Sequence, residues 1–451
     1  MAAALTLGAL IAVSPPAIAQ PDRTPAQQAT PDQGPAALAM RRGQHLFLQG
    51  DYAGALAAFD ETAALDPLFK DIQVDRARAI IGLGDRAGGM ALLDRTLASV
   101  PTVRGFLVRG GIYESQGALE KAVADYTEAI ALDPTRFFGW YKRGWARRQL
   151  HDLDGAIADY SQDLKLKPDD WRVYGLRASA LALEGDIDRA LADVEIQVAN
   201  QPEAPAYMTR GAIQSMRHKP ENALADYTEA LRLKPGNPEA LFSRGLVRQT
   251  MRDAEGAIAD FDQAIAAQPN PLAYISRGLA WRSKRAFDRA LQDFQSAIDL
   301  KPDFSQGYLY RGSTYAMMSN YPEALMDLNR AVTLDPSLPD AYRERGGVRL
   351  LSGDLGQARA DIDRALELAP KDGGALALRA TIELKAGHAE EALRTYNEAI
   401  RVEPQNATAL YGRGLSQLRL GHRREGKADL VSALAVDPRQ DRVFAHIGLA
   451  P

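Results

Sequence analysis

Residues 135–168 read TRFFGWYKRGWARRQLHDLDGAIADYSQDLKLKP, and this stretch decides the fold. Its pattern predicts a first helix from Phe137 to Leu150, a turn at His151 and Asp152, and a second helix from Leu153 to Leu166. Proline lacks the N–H that continues a helix, and its ring clashes with the preceding turn, so Pro134 and Pro168 punctuate the unit at both ends. Gly144 and Ala156 lack bulk where two antiparallel helices would cross, and Tyr160 is placed to fill the seam between them. Enlarging either small residue should separate the pair.

Outward from this unit, the same punctuation recurs. Pro67, Pro101, Pro134, Pro168, Pro202, Pro235, Pro269, Pro302, Pro336, Pro370, Pro404 and Pro438 are spaced by 33 or 34 residues. The residue 24 places before each is Gly or Ala in all twelve cases, from Gly43 and Ala77 to Ala380 and Gly414. Twelve places before stands another small residue, such as Ala55, Ala122, Ala223 or Ala392. Eight before stands a bulky apolar one, among them Phe59, Tyr126, Tyr227, Phe261, Phe294, Leu328 and Tyr396. A period of this length is the signature of stacked helical hairpins.

These positions resemble the tetratricopeptide repeat, which has small residues at its eighth and twentieth places, an aromatic at the twenty-fourth and proline at the thirty-second. The resemblance implies an all-α fold, a right-handed α-superhelical solenoid of about twelve helix-turn-helix repeats over residues 36–440. Gln73, Ala77 and Gly89 depart from the pattern in the second repeat, and Gly426 replaces the small Ala in the last. In a solenoid each hairpin buries apolar surface only against its neighbours, so the 451 residues count repeats and not globular domains.

Composition is that of an ordinary soluble protein, 46% hydrophobic and 25% charged. A net charge of -4, with acids and bases interspersed, gives no electrostatic footprint for nucleic acid or for an anionic membrane surface. The apolar run Ala2–Val13 followed by Ala17-Ile18-Ala19 resembles a secretory signal peptide over residues 1–19, although no basic residue precedes the run. That run is too short to span a bilayer, so no stable membrane anchor is expected. Residues 20–35, rich in Pro, Gln, Asp and Thr, read as a flexible spacer. The expected location is therefore the bacterial periplasm or outside the cell, with the cytoplasm as the alternative. The absence of cysteine excludes disulfides, thiol catalysis and a lipidated cysteine.

One periodicity goes beyond the family pattern. The residue before each eighth-place small residue is Arg in all twelve repeats: Arg42, Arg76, Arg109, Arg143, Arg177, Arg210, Arg244, Arg277, Arg311, Arg345, Arg379 and Arg413. Sixteen residues later nine repeats carry Asp, namely Asp125, Asp159, Asp193, Asp226, Asp260, Asp293, Asp327, Asp361 and Asp429. In an antiparallel hairpin these sites lie within about one helical turn, so an arginine–aspartate ladder is expected. Structural registry is its favoured role, ahead of an anion-binding stripe, because a paired arginine is poorly available to a ligand.

Motifs for chemistry are weak. Gly421–Lys427 (GHRREGK) approaches a phosphate-binding loop, but Ala428 stands where a hydroxyl is needed and a helix precedes it. Gly82-Leu83-Gly84 with Ala87 mimics a dinucleotide fingerprint poorly and falls in an inter-helix turn. His151, His218, His388 and His422 belong to turns of different repeats and do not form a metal set. No catalytic residue, metal or cofactor is expected, and an enzyme is not the expected reading.

What remains is the surface that, by the resemblance, the second, fifth, ninth, twelfth and thirteenth places of each first helix would line. The Lys and Asn of the carboxylate-gripping members of the family are missing there. Instead the candidates are Phe138, Tyr141, Trp145, Arg148, Met208, Phe242, Leu246, Ile275, Leu279, Leu309 and Tyr411, an apolar and aromatic set typical of interaction hot spots. About half are expected to pack against the next repeat. A protein or peptide partner, bound as an extended or helical apolar segment between repeats four and nine, is the leading expectation. A self-associating structural solenoid, or an accessory that presents substrate to a separate enzyme, are the alternatives. Residues 441–451, with Phe444 and Gly448 in phase, read as a capping turn, or else as a tail that engages a partner.

Overall fold

The computed structural model describes residues 34–450; the expected leader, and the expected spacer up to residue 33, lie outside them. Among the described residues there are 25 helices and no strand. Twenty-four of the helices pair as twelve hairpins, from Pro35–Leu48 with Tyr52–Leu65 to Ala407–Arg419 with Arg423–Val436. Pro35 opens the first helix, where its missing N–H costs nothing. Repeat four consists of Phe137–Gln149 and Leu153–Leu166. The chain divides into two compact units, residues 34–235 with repeats one to six and residues 236–450 with repeats seven to twelve.

Each hairpin is made by local chemistry. The residue at the turn adopts a left-handed conformation, supplied by glycine in seven hairpins, as at Gly185 (φ 99°), and by His151, His218, Arg252, Arg285 and Ser319 in the other five. In six of the twelve hairpins the second helix then starts on a capping side chain: Asp152 accepts from the Gly155 N–H at 3.0 Å, and Asp51, Asp85, Asp186, Asp253 and Asp354 cap in the same way. At its far end the residue before proline leaves the helix, as Lys167 does at φ -136°.

The core is a row of seams. Phe59, Tyr126, Tyr160, Tyr227, Phe261, Phe294 and Tyr396 are fully buried. They lie so close to the first helix that a Cβ on Gly245 would stand 2.6 Å from Phe261 Cε1, and one on Gly144 3.0 Å from Tyr160 Cε1. In the two irregular repeats the backbones approach directly instead: a Cβ on Gly89 would be 2.8 Å from the Ala77 carbonyl, and one on Gly426 2.8 Å from that of Gly414.

Ion pairs run through each unit in register with these seams. All nine aspartates accept from the arginine sixteen residues earlier. In eight, Nε donates to Oδ2 at 2.6 to 3.0 Å and Nη2 to Oδ1 at 2.6 to 2.8 Å. The ninth, Arg210 with Asp226, divides Nε between both oxygens. Where the aspartate is missing, the charge is met another way. Arg42 pairs with Glu61, and Arg76 with Asp60. Arg379 pairs with the fully buried Glu383 of its own helix, which also accepts from Thr395.

The C-terminal helix Gln440–His446 closes the stack. Phe444 is fully buried, with its ring 4.8 Å from that of Tyr411. Ile447 and Leu449 join the same cluster as Leu410 and Leu415, and Lys385 Nζ bonds the Ile447 carbonyl. The last repeat thereby hides the apolar face that a solenoid end would otherwise expose.

Candidate partner-binding surface

The first helices place the candidate residues, and burial divides them. In repeat four Phe138 and Tyr141, one turn apart, stay half-exposed and stack at 5.9 Å with 29° between their planes, Lys142 Nζ lying 6.0 Å from the Phe138 ring. The Tyr141 hydroxyl is pushed up to about 12, chiefly by burial, with the Arg172 guanidinium opposing. Met208 in repeat six is also half-exposed, as are Phe242 and Leu279 in the second unit, where Phe242 leans on Phe261 at 5.8 Å.

Six candidates are turned into the fold. Trp145 is 8% exposed because the ninth place faces the preceding hairpin, where it packs with Ala122 and Tyr126. Ile275 and Leu309 are buried inside their own hairpins, Ile275 against Ala290 and Phe294 and Leu309 against Ala324 and Leu328, and Arg148 and Leu246 are buried as well. Tyr411 is covered by Phe444 of the chain itself. None of the six is an open anchor in this structure.

The structural set is fully engaged: Arg143 with Asp159, Arg244 with Asp260, Arg277 with Asp293, and Arg311 with Asp327. Burial raises the Asp293 carboxyl, against the pull of Arg277. Two further roles of these arginines escaped the sequence reading. In several ladder arginines the third nitrogen, Nη1, reaches back to the residue after the previous seam residue: Thr127 and Ser161 at 3.1 Å, Asn329 at 2.9 Å, Asp94 at 2.7 Å and Asp262 at 2.6 Å. The guanidinium also lies over the aromatic three residues before it, as with Arg143 over Trp140 at 5.0 Å and Arg177 over Tyr174 at 5.6 Å. The signal was present, since a polar residue follows most seam residues and an aromatic precedes most of these arginines by three.

One carboxyl breaks the pattern. Asp163 stands three residues after Tyr160, a place held by Ala in repeats three and six to twelve. It is fully buried, neither oxygen has a partner, and desolvation, reinforced by the charge of Asp170, pushes it up to about 8.

Family models described as tetratricopeptide repeat match residues 46–104, 103–136, 141–205, 244–303 and 312–383, and one described as TPR repeat matches 381–421. The chain belongs to the tetratricopeptide repeat family. No curated protein matches it. Among similar solved structures, the tetratricopeptide repeat chain is 13% identical to one in the APC/C hetero-tetramer Cut9–Hcn1, with a TM-score of 0.50 over 92% of this chain and 96% of that one. A tetratricopeptide repeat protein from Parabacteroides merdae is 18% identical (TM-score 0.46, 54% of this chain and 97% of that one). Yeast Tom70 is 15% identical (TM-score 0.43, 92% and 98%). At 13% identity the likeness to the Cut9–Hcn1 chain shows the fold alone.

Proposed function

We propose that this tetratricopeptide repeat protein is a non-catalytic scaffold that holds a partner polypeptide on the concave, first-helix surface of its repeats. The observation that carries the reading is the half-exposed stacked pair Phe138–Tyr141, followed in repeat five by a second half-exposed pair, Trp171 and Tyr174 at 6.0 Å. Large, stiff aromatic rings left partly open are effective anchors because they bury much apolar area for little lost conformational freedom. The chain's own C-terminal helix supplies a precedent for the mode: a short helix laid on a first helix, with Phe444 seated on the fifth-place Tyr411. The ladder supports a non-catalytic role, since its arginines and aspartates recur with the repeat and are consumed by pairing within it.

Replacing Phe138 and Tyr141 by Ala should abolish co-purification of the partner while leaving helicity intact. Retained binding by the folded variant would exclude this surface. A monodisperse monomer in light scattering is expected, and concentration-dependent growth would favour self-association instead. Export belongs to the same proposal, and secretion of a reporter fused to residues 1–25 tests it.

A further inference from the structure

Repeats four, seven and ten carry a second arginine one turn after the ladder arginine. Arg147, Arg248 and Arg349 each send Nη1 to Oδ2 of the ladder aspartate, at 2.9, 2.8 and 2.6 Å. In repeats four and seven the same Nη1 also meets the carbonyl of Gly155 or Gly256. One carboxylate thus serves two guanidinium groups.

Repeat six keeps the acceptor and lacks the second donor. Gln214 stands at the register of Arg147, and Asn222, Ala225 and Asp226 stand at those of Gly155, Ala158 and Asp159. Together with Arg210 and the exposed Glu195 of the preceding repeat, they line a cavity of about 220 Å³. Gln214, one of the lining residues, is 7% exposed, and its buried Oε1 has no hydrogen-bond partner. A buried acceptor left unmet costs free energy that a donor entering the cavity would recover.

We propose that this cavity is a socket for the guanidinium of an arginine residue on a partner polypeptide, filling the place that Arg147 and Arg248 occupy in their own repeats. The chemistry is complementary. Asp226 and Glu195 bring two negative charges against one from Arg210, and Gln214 Oε1 and the Asn222 amide oxygen can accept from the N–H groups that Asp226 leaves over. A flat guanidinium with five donors fits such a set better than a lysine ammonium does. The proposal deepens the scaffold reading, on which it rests, by giving the partner a required side chain.

The test uses the full chain and acetyl-arginine-N-methylamide as probe, followed through the side-chain amide signals of Gln214 and Asn222. Saturable shifts are expected, with at least tenfold weaker binding of acetyl-lysine-N-methylamide. Gln214→Arg supplies the missing group internally and should abolish the shifts while the variant stays folded, and Glu195→Gln should weaken them severalfold. Shifts that do not saturate, that lysine matches, or that survive Gln214→Arg would overturn the proposal. Agmatine binding tenfold tighter than the blocked arginine would overturn the polypeptide source and assign the socket to a free guanidine. The probe does not depend on the Phe138–Tyr141 surface. Arginine binding that persists when Phe138→Ala/Tyr141→Ala has lost the partner therefore separates this socket from the scaffold reading, whose own failure is partner capture unchanged by that variant.

Discussion

Arg143 and Asp159 form a two-bonded fork, with Nε to Oδ2 at 2.9 Å and Nη2 to Oδ1 at 2.7 Å, and the remaining Nη1 reaches Thr127 of the preceding repeat at 3.1 Å. One side chain thereby fixes three helices: the two of its own hairpin and the second of the hairpin before. Asp159 accepts from Arg147 as well, and its side chain is 2% exposed. Asp159→Ala is expected to cost about 3 to 5 kcal/mol, because two guanidinium groups lose their carboxylate in a poorly solvated seam. Asp429→Ala should cost less, since that carboxylate is 13% exposed and serves Arg413 alone. Denaturant titration of both variants checks the order.

The seam glycines set a second expectation. Gly245→Ala forces its new methyl against Phe261 and should destabilise the second unit by about 1 to 3 kcal/mol. Trimming the opposing ring with Phe261→Leu should recover part of that loss in the double variant, and thermal melts of the three proteins test the coupling.

Asp163 gives stability a pH dependence. Its folded carboxyl holds the proton up to about 8, above its ordinary value, so between roughly pH 4 and 8 the folded chain binds more protons here than the unfolded chain. The contribution is fully present below that window and is lost as pH rises through it. Asp163→Asn should leave the melting temperature unchanged at pH 4 and raise stability at pH 9 by at least about 1 kcal/mol. Equal melting behaviour of both proteins at pH 9 would contradict the burial argument.

Arg252 holds φ 63° at the turn of repeat seven, where the left-handed conformation costs a side chain about 1 to 2 kcal/mol. Glycine removes that cost but loosens the unfolded chain, so Arg252→Gly should stabilise by about 0.5 to 1 kcal/mol net. Gly185→Ala, at φ 99°, should destabilise by about as much or more. Melting curves distinguish the two signs.

Much of this molecule was legible because a period magnifies weak signals. A single Pro168 says little, whereas twelve prolines in phase locate every hairpin, and the offset between Arg143 and Asp159 then places the two on facing turns. The outward surface was harder to read. Trp145 and Tyr141 are both aromatic first-helix residues, and only the angle at which one hairpin meets the next decides that Trp145 packs on Tyr126 while Tyr141 stays half-open. Tyr411 was misjudged for another reason: Phe444, one repeat length later in the expected capping turn, covers it, so the cap takes up the place that the surface reading had kept for a partner. The second acceptor Thr127 was missed because it belongs to a different repeat from its arginine.

The central distinction, between a ladder that holds register and an aromatic surface that binds, is tested most directly by quantitative crosslinking and mass spectrometry of the chain in its native cell. Wild type, Asp159→Ala and Phe138→Ala/Tyr141→Ala would be compared side by side. The expected result is a partner retained by Asp159→Ala in proportion to its folded fraction and lost from the fully folded aromatic variant. Loss of the partner from a stable Asp159→Ala protein, with capture undiminished in the aromatic variant, would contradict it.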